Sequence, residues 1–200
     1  MKERFLFAKR FLCDPTAIGS LWPSSEKLAH CMTQSSSCNP NPTSYLEVGA
    51  GSGALTGRLV HNLRVQDTLD IVENDPKFCT ILRNKFGQMP RVNVHEVSIL
   101  DFSGKEYDVV ISSLPLNAFP ADVVAKILKK YESLVKKGGS LAYFEYVWLE
   151  KLKQALLSGM KAHDFKEALI LKQRFASQYG KKAELIWRNL PPARVIHCQM

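Results

Sequence analysis

From residue 44 onward, the apolar residues fall into short blocks that alternate between two periodicities. Tyr45, Leu46 and Val48 form a compact, partly β-branched run, and Leu55, Leu59 and Leu63 recur behind it on one helical face. Leu69 to Val72 predicts a second strand ending at Glu73, and Asn74-Asp75-Pro76 then opens a helix over about 77–86. Val92 to Val97 and Tyr107 to Ile111, the latter introduced by Asp108, predict strands three and four. Ala121 to Leu134 keeps a helical period, Gly138-Gly139 reads as its stop, and Ser140 to Val147 follows as a fifth strand. Helices over about 149–157 and 165–179 and strands over 183–188 and 194–198 complete the pattern. Alternating strands and helices predict an α/β fold whose sheet is mostly parallel and closes with an antiparallel C-terminal strand.

That domain is expected over 43–200, behind a helical N-terminal segment over 1–42. Residues 1–12, MKERFLFAKRFL, interleave Phe5, Leu6, Phe7, Phe11 and Leu12 with four cations. Such a helix suits either the headgroup layer of a membrane or simple packing on the domain. DPTAIGSLWPSS then reads as a loop ending at a helix, with Ser24 as N-cap and Glu26 in its first turn. Leu28, Ala29 and Met32 give that helix a short apolar face, and residues 35–43 read as a proline-rich linker.

A composition of 46% hydrophobic and 23% charged residues is that of a globular domain. No apolar run reaches bilayer length, and the start lacks the pattern of a signal peptide, so a cytoplasmic protein is expected. Cys13, Cys31, Cys38, Cys79 and Cys198 are odd in number and form no C-x-x-C pair, which argues against a disulfide framework and against zinc. No metal is therefore expected. A net charge of +8 favours an anionic partner, either nucleic acid or a membrane face, unless it only solubilises the surface.

The chemistry concentrates at Tyr45 to Gly57, YLEVGAGSGALTG, a strand, glycine turn and helix. Gly49, Gly51 and Gly53 allow positive φ and a close approach of backbone N–H groups to a ligand at a helix N-terminus. The spelling is neither G-x-G-x-x-G nor a P-loop but E-x-G-x-G-x-G, with Glu47 as the acid. Here the chain resembles the class I S-adenosylmethionine-dependent methyltransferases, which have a Rossmann-like sheet. The resemblance implies S-adenosyl-L-methionine as cofactor, S-adenosyl-L-homocysteine as product, and Glu47 near the methionine end. Glu73 lies 20 residues past Gly53, at the strand end where such folds hydrogen-bond a ribose diol, and Asn74 follows it. Ser98 and Ile99 occupy the loop that holds adenine in the resembled family; Ser98, backbone or Asp101 would make the contact there. The resemblance also implies that the segment Ile18 to Ser25, with Gly19, Ser24 and Ser25, closes over the cofactor.

Ser112-Ser113-Leu114-Pro115-Leu116 ends the fourth strand, in the crevice where an acceptor should arrive. Amino methyltransferases often carry [DNS]-[LIP]-P-[YFW] here. Leu116 stands in place of the aromatic and cannot stack on a base. Three strings together are similar to the bacterial phospholipid N-methyltransferases, which act on phosphatidylethanolamine: F-x-x-D-P-x-x-I-G-S-L-x-P-S-S, S-S-L-P-L-x-x-[FM]-P and N-L-P-P-A-x-V. The last, at Asn189 to Val195, is read as the turn of a final hairpin. That resemblance implies an anionic membrane surface or lipid headgroup as partner, with residues 1–12 docking at the inner face of the membrane. Ser113 and Pro115 would orient the amine, and a base must deprotonate it, with Glu145, Tyr146 or a backbone carbonyl near 113–115 as candidates. The alternatives are an rRNA adenine N6-dimethyltransferase with RNA as partner, a small-amine methyltransferase, and a non-catalytic cofactor-binding module.

Overall fold

The computed structural model describes residues 24–34, 41–147, 159–187 and 192–200. Its elements are α1 (Ser24–Thr33), β1 (Ser44–Val48), α2 (Ala54–Asn62), β2 (Thr68–Glu73), α3 (Pro76–Phe86), β3 (Val92–Glu96), β4 (Tyr107–Ser112), a 3-10 turn (Leu116–Ala118), α4 (Ala121–Leu134), β5 (Val135–Tyr146), α5 (Gly159–Tyr179), β6 (Gly180–Ile186) and β7 (Ala193–Gln199). The strands form one sheet in the order β3-β2-β1-β4-β5-β7-β6. The first five are parallel, and β7 runs antiparallel between β5 and β6.

Side-chain alternation divides the core in two. Leu46, Val48, Val110, Leu141 and Tyr143 pack beneath α4 and α5, while Tyr45, Leu69, Ile71, Ile111 and Val195 pack beneath α1, α2 and α3. In α4, Val124, Ile127, Leu128, Tyr131 and Leu134 are buried at i, i+3, i+4 spacing, so one stripe fixes both ends of that helix. Because β2 and β4 flank β1, the chain leaves β1 in one direction along the sheet and returns on the other side. The carboxyl edge between β1 and β4 is consequently a crevice.

The opposite, amino edge is held by carboxylates. Asp67 accepts the N–H groups of Thr43 and Arg64, each at 2.9 Å, and pairs with the Arg64 guanidinium. Asp108 accepts the N–H and hydroxyl of Ser44 at 2.8 and 2.6 Å and pairs with Lys136 at 2.9 Å. Burial pushes the Asp67 carboxyl up, but Arg64 and the backbone donors outweigh it and hold it below the usual range. Its contribution is therefore present above pH ~4 and lost as pH falls through the depressed value. Asp67→Ala is expected to cost about 2–4 kcal/mol in urea denaturation at pH 7 and to leave cofactor affinity unchanged.

Two boundaries differ from the sequence expectation. Gly138-Gly139 does not separate helix from strand, because β5 already begins at Val135. The register moves from Tyr107↔Val135 to Val109↔Ser140, so residues 136–139 bulge out of the strand with Gly138 at φ 79°. Helix α5 begins at Gly159 rather than near 165. The expected helices over 1–12 and 149–157, and Gly19, lie outside the described residues. So do residues 188–191, although Ile186 and Ala193 pair across the hairpin expected there. Among the described residues, no helix is long and apolar enough to cross a membrane.

Candidate active site at the carboxyl edge of the sheet

The three glycines after β1 have φ of 75°, 55° and 86°, and no described non-glycine residue has positive φ. Their surroundings differ. A Cβ on Gly49 would meet Leu114 at 2.9 Å and one on Gly53 would meet Phe86 at 2.9 Å, so these two permit packing. A Cβ on Gly51 would meet nothing within 4 Å, and this is the position that leaves room for a ligand. The expectation that glycine N–H groups face the ligand is corrected here. Gly49 donates to Val72, Gly53 to Ala50, and Gly51 to the Glu73 carboxylate at 2.9 Å. The turn is shaped as an open, self-satisfied cradle rather than as a nest of donors for a phosphate.

Glu73 is the clamp of that cradle. One oxygen accepts from Gly51, the other from the N–H groups of Asn74 and Asp75 at 2.8 and 2.9 Å. A carboxylate has about four acceptor positions, so a hydroxyl donor can still be accommodated. Asn74 itself is exposed and takes part through its backbone.

Glu47 is fully buried, and one of its oxygens accepts from the Thr56 hydroxyl of α2 at 2.7 Å. The other, Oε1, has no hydrogen-bond partner. Burial pushes its pKa up to about 7, against the lowering effect of Thr56 and with a further push from the Glu73 charge. A buried carboxylate with one orphaned oxygen beneath a glycine cradle invites a cationic ligand group.

The remaining predicted residues scatter around this centre. Ser98 caps its own loop: its carbonyl accepts from Asp101 and Phe102 and its hydroxyl from Leu100, while Ile99 is buried in the core. Asp101 is exposed. The Ser112 hydroxyl lies 2.5 Å from that of Tyr131 within the α4 face, so its side chain belongs to the core and only its backbone can line the crevice. Ser113 is half-buried and donates its N–H to Val48 at 2.8 Å, placing it beside the glycine turn. Pro115 is buried and heads the 3-10 turn. The carbonyls of Leu114 and Pro115 accept from Leu116 and Ala118, and so serve the turn. Tyr146 stacks edge-on against Phe144, and burial raises its phenol, which disfavours it as a base. Helix α1 already includes Ser24, one residue earlier than its expected place as N-cap implies, and the side chains of Ser24 and Ser25 lie outside the described residues.

A network around the acceptor end was not anticipated. Lys172 of α5 pairs with Glu145 at 2.7 Å, both nearly inaccessible, and also donates to the Asn117 side chain in the 3-10 turn. Glu145 is thus committed to an ion pair rather than free to act as a base. The signal lay in the sequence: Phe165, Ala168, Leu169, Lys172 and Phe175 follow one buried helical stripe that holds a single cation. Beside the pair is a cavity of about 330 Å³ lined by Tyr143, Leu169, Lys181 and Arg194 among others.

Residues 46–139 match a family profile described as a methyltransferase domain. These residues form a methyltransferase domain. Over the whole chain, the methyltransferase is 25% identical to an ornithine lipid N-methyltransferase of Singulisphaera acidiphila, in an alignment covering 97% of that protein. It is 31% identical to ribosomal RNA small subunit methyltransferase A of Marinobacter nauticus, over 58% of this chain and 35% of that one. Its fold is similar to that of N-methyltransferase NodS from Bradyrhizobium japonicum in complex with S-adenosyl-L-homocysteine. The two have a TM-score of 0.73 and 12% identity, over 98% and 97% of the chains. The cofactor of the methyltransferase is S-adenosyl-L-methionine, and the site fits it. The space over Gly51 admits the ligand, and the orphaned Glu47 oxygen complements its positive charge.

Proposed function

We propose that this methyltransferase transfers methyl groups to the amine of a membrane lipid headgroup, phosphatidylethanolamine first. The alignment with a lipid N-methyltransferase supports this reading most directly, because it is coextensive with both chains. The rRNA enzymes align over parts only. The acceptor loop agrees. Leu116 is buried in the core where a base-stacking aromatic would be wanted, and Asn117 is tied to Lys172. The cavity beside Glu145 is rimmed by Lys181 and Arg194, a setting for the phosphate or carboxylate that accompanies an amine in a lipid headgroup.

S-adenosyl-L-methionine supplies an activated methyl group, and transfer needs orientation and exclusion of water more than covalent help. Glu73 fixes the glycine turn, and the Lys172–Glu145–Asn117 network fixes the 3-10 turn behind Ser113. Ser113 stands next to Val48, where its carbonyl or hydroxyl can orient the amine lone pair.

Trp187 is 69% exposed at the end of β6, on the same edge of the sheet as the carboxyl ends of β4 and β5. An indole there suits the headgroup plane. In vesicle sedimentation, Trp187→Ser is expected to lower binding to anionic vesicles about 3–10-fold without changing S-adenosyl-L-homocysteine affinity. Equal sedimentation would remove this edge as the docking face.

The reading as a whole is tested with S-adenosyl-L-methionine carrying a tritiated methyl group, offered in parallel to extracted lipid, total RNA and soluble amines. Label in the amine lipids supports it. Label confined to RNA or to soluble amines rejects it, and no label together with tight cofactor binding favours a binding module.

A further inference from the structure

On the face of the sheet opposite α4 and α5, three donor atoms from three elements converge. Cys31 of α1, Glu184 of β6 and His197 of β7 offer a sulfur, an oxygen and a nitrogen that all lie within 4.8 Å of one another. The Cys31 sulfur is 3.7 Å from His197 Nε2, and His197 Nε2 is 3.6 Å from Glu184 Oε1. Tetrahedral zinc with ordinary bond lengths sets sulfur and nitrogen ligands about 3.6 Å apart, and nitrogen and oxygen ligands about 3.4 Å apart. The observed spacings match those edges within the reach of small side-chain rotations.

We propose that Cys31, Glu184 and His197 form a zinc site with three protein ligands and an open fourth position. The donor set is one that zinc accepts, and it is too soft for magnesium or calcium. Cys31 and His197 are buried, and burial keeps the His197 ring neutral, the form that ligates. The ion forms a bond to the Cys31 sulfur as the S–H bond breaks, and the proton leaves to solvent. The Lys182 ammonium, now 2.9 Å from Glu184 Oε1, must swing away, and at 62% exposure it has solvent to swing into. Sequence spacing could not show the site, since Cys31 and His197 are 166 residues apart. His197 lies on the same rung of the sheet as Glu47 but three strands away across it, through Ala142 and Ile111, so the ion is a staple joining α1 to the last hairpin beside the methyl-transfer centre rather than in it.

Without a cation the same groups form a hydrogen-bonded trio. Burial and the adjacent Glu184 push the Cys31 thiol up to about 12, so it stays a donor. The two states are separated by titrating the metal-free full chain with Zn²⁺, and separately with Co²⁺. One equivalent of zinc should bind and raise the Tm by roughly 5–10 °C at hundredfold excess over Kd. Cobalt should give the tetrahedral visible bands and the thiolate charge-transfer band. Cys31→Ser should remove that band and weaken zinc binding at least tenfold, while Lys182→Met tightens it and Cys198→Ala leaves it unchanged. The proposal is overturned if zinc fails to bind, if the cobalt spectrum shows octahedral coordination without sulfur, or if Cys198→Ala has the same effect as Cys31→Ser.

Discussion

Glu47→Gln is expected to make the cofactor-free protein more stable at pH 8 by about 1–3 kcal/mol while weakening S-adenosyl-L-homocysteine binding at least tenfold. The folded-state pKa of the buried Glu47 carboxylate is pushed up to about 7 from 4.5 in the unfolded chain, so between those values the folded state holds a proton that the unfolded state has lost. Stability therefore falls as pH rises through that window. Above pH 7 the full cost of an ionised carboxylate in the core is present, on the order of 3 kcal/mol. Gln is isosteric and its carbonyl can still accept from Thr56, which removes the charge and keeps the 2.7 Å hydrogen bond. Part of the gain is offset because the amide nitrogen replaces an oxygen that already lacks a partner. The same change deprives the cationic methionine end of its counter-charge. Urea denaturation at pH 5.5, 7 and 8.5 should show stability declining with pH in the wild type and a flat profile in Glu47→Gln. Calorimetry supplies the affinity. A variant that is less stable at pH 8 and binds the cofactor normally would make Glu47 a structural residue only.

The second large effect is at Lys172. Lys172→Met is expected to cost about 3–5 kcal/mol, because it strands the Glu145 carboxylate in a site where it is 9% exposed and removes a donor from the Asn117 side chain. The double variant Lys172→Met, Glu145→Leu should recover most of that loss, since replacing both charges with apolar groups removes the desolvation penalty. Methyl transfer should stay low in the double variant at unchanged cofactor affinity, because the Lys172 hydrogen bond to the Asn117 side chain in the turn behind Ser113 is then lost. Additive losses in the double-mutant cycle would show that the two residues do not act as a pair.

How much of this was legible in the chain follows from range. Helix α4 was readable to the residue because its buried stripe repeats every turn. The crevice was readable because E-x-G-x-G-x-G and Glu73 are separated by one strand–helix unit whose geometry is nearly invariant. Residues 136–139 were misread because a glycine pair signals a break equally well as a helix stop or a bulge. Only pairing with β4, which is non-local, selects the bulge. The glycine amides were misassigned because the positive φ angles follow from the sequence, whereas the acceptor each amide finds is tertiary. The Lys172–Glu145–Asn117 network joins three elements far apart in the chain, and its one local trace was a cation on an apolar stripe.

The central claim is tested most directly by incubating the purified protein with S-adenosyl-L-methionine and vesicles of phosphatidylethanolamine in an anionic host lipid, followed by mass spectrometry of the lipid. The account predicts mono- or polymethylated phosphatidylethanolamine with the wild type and none with Gly51→Val, which fills the open cradle. Unmodified lipid beside methylated adenine in an RNA control run with the same protein would contradict it.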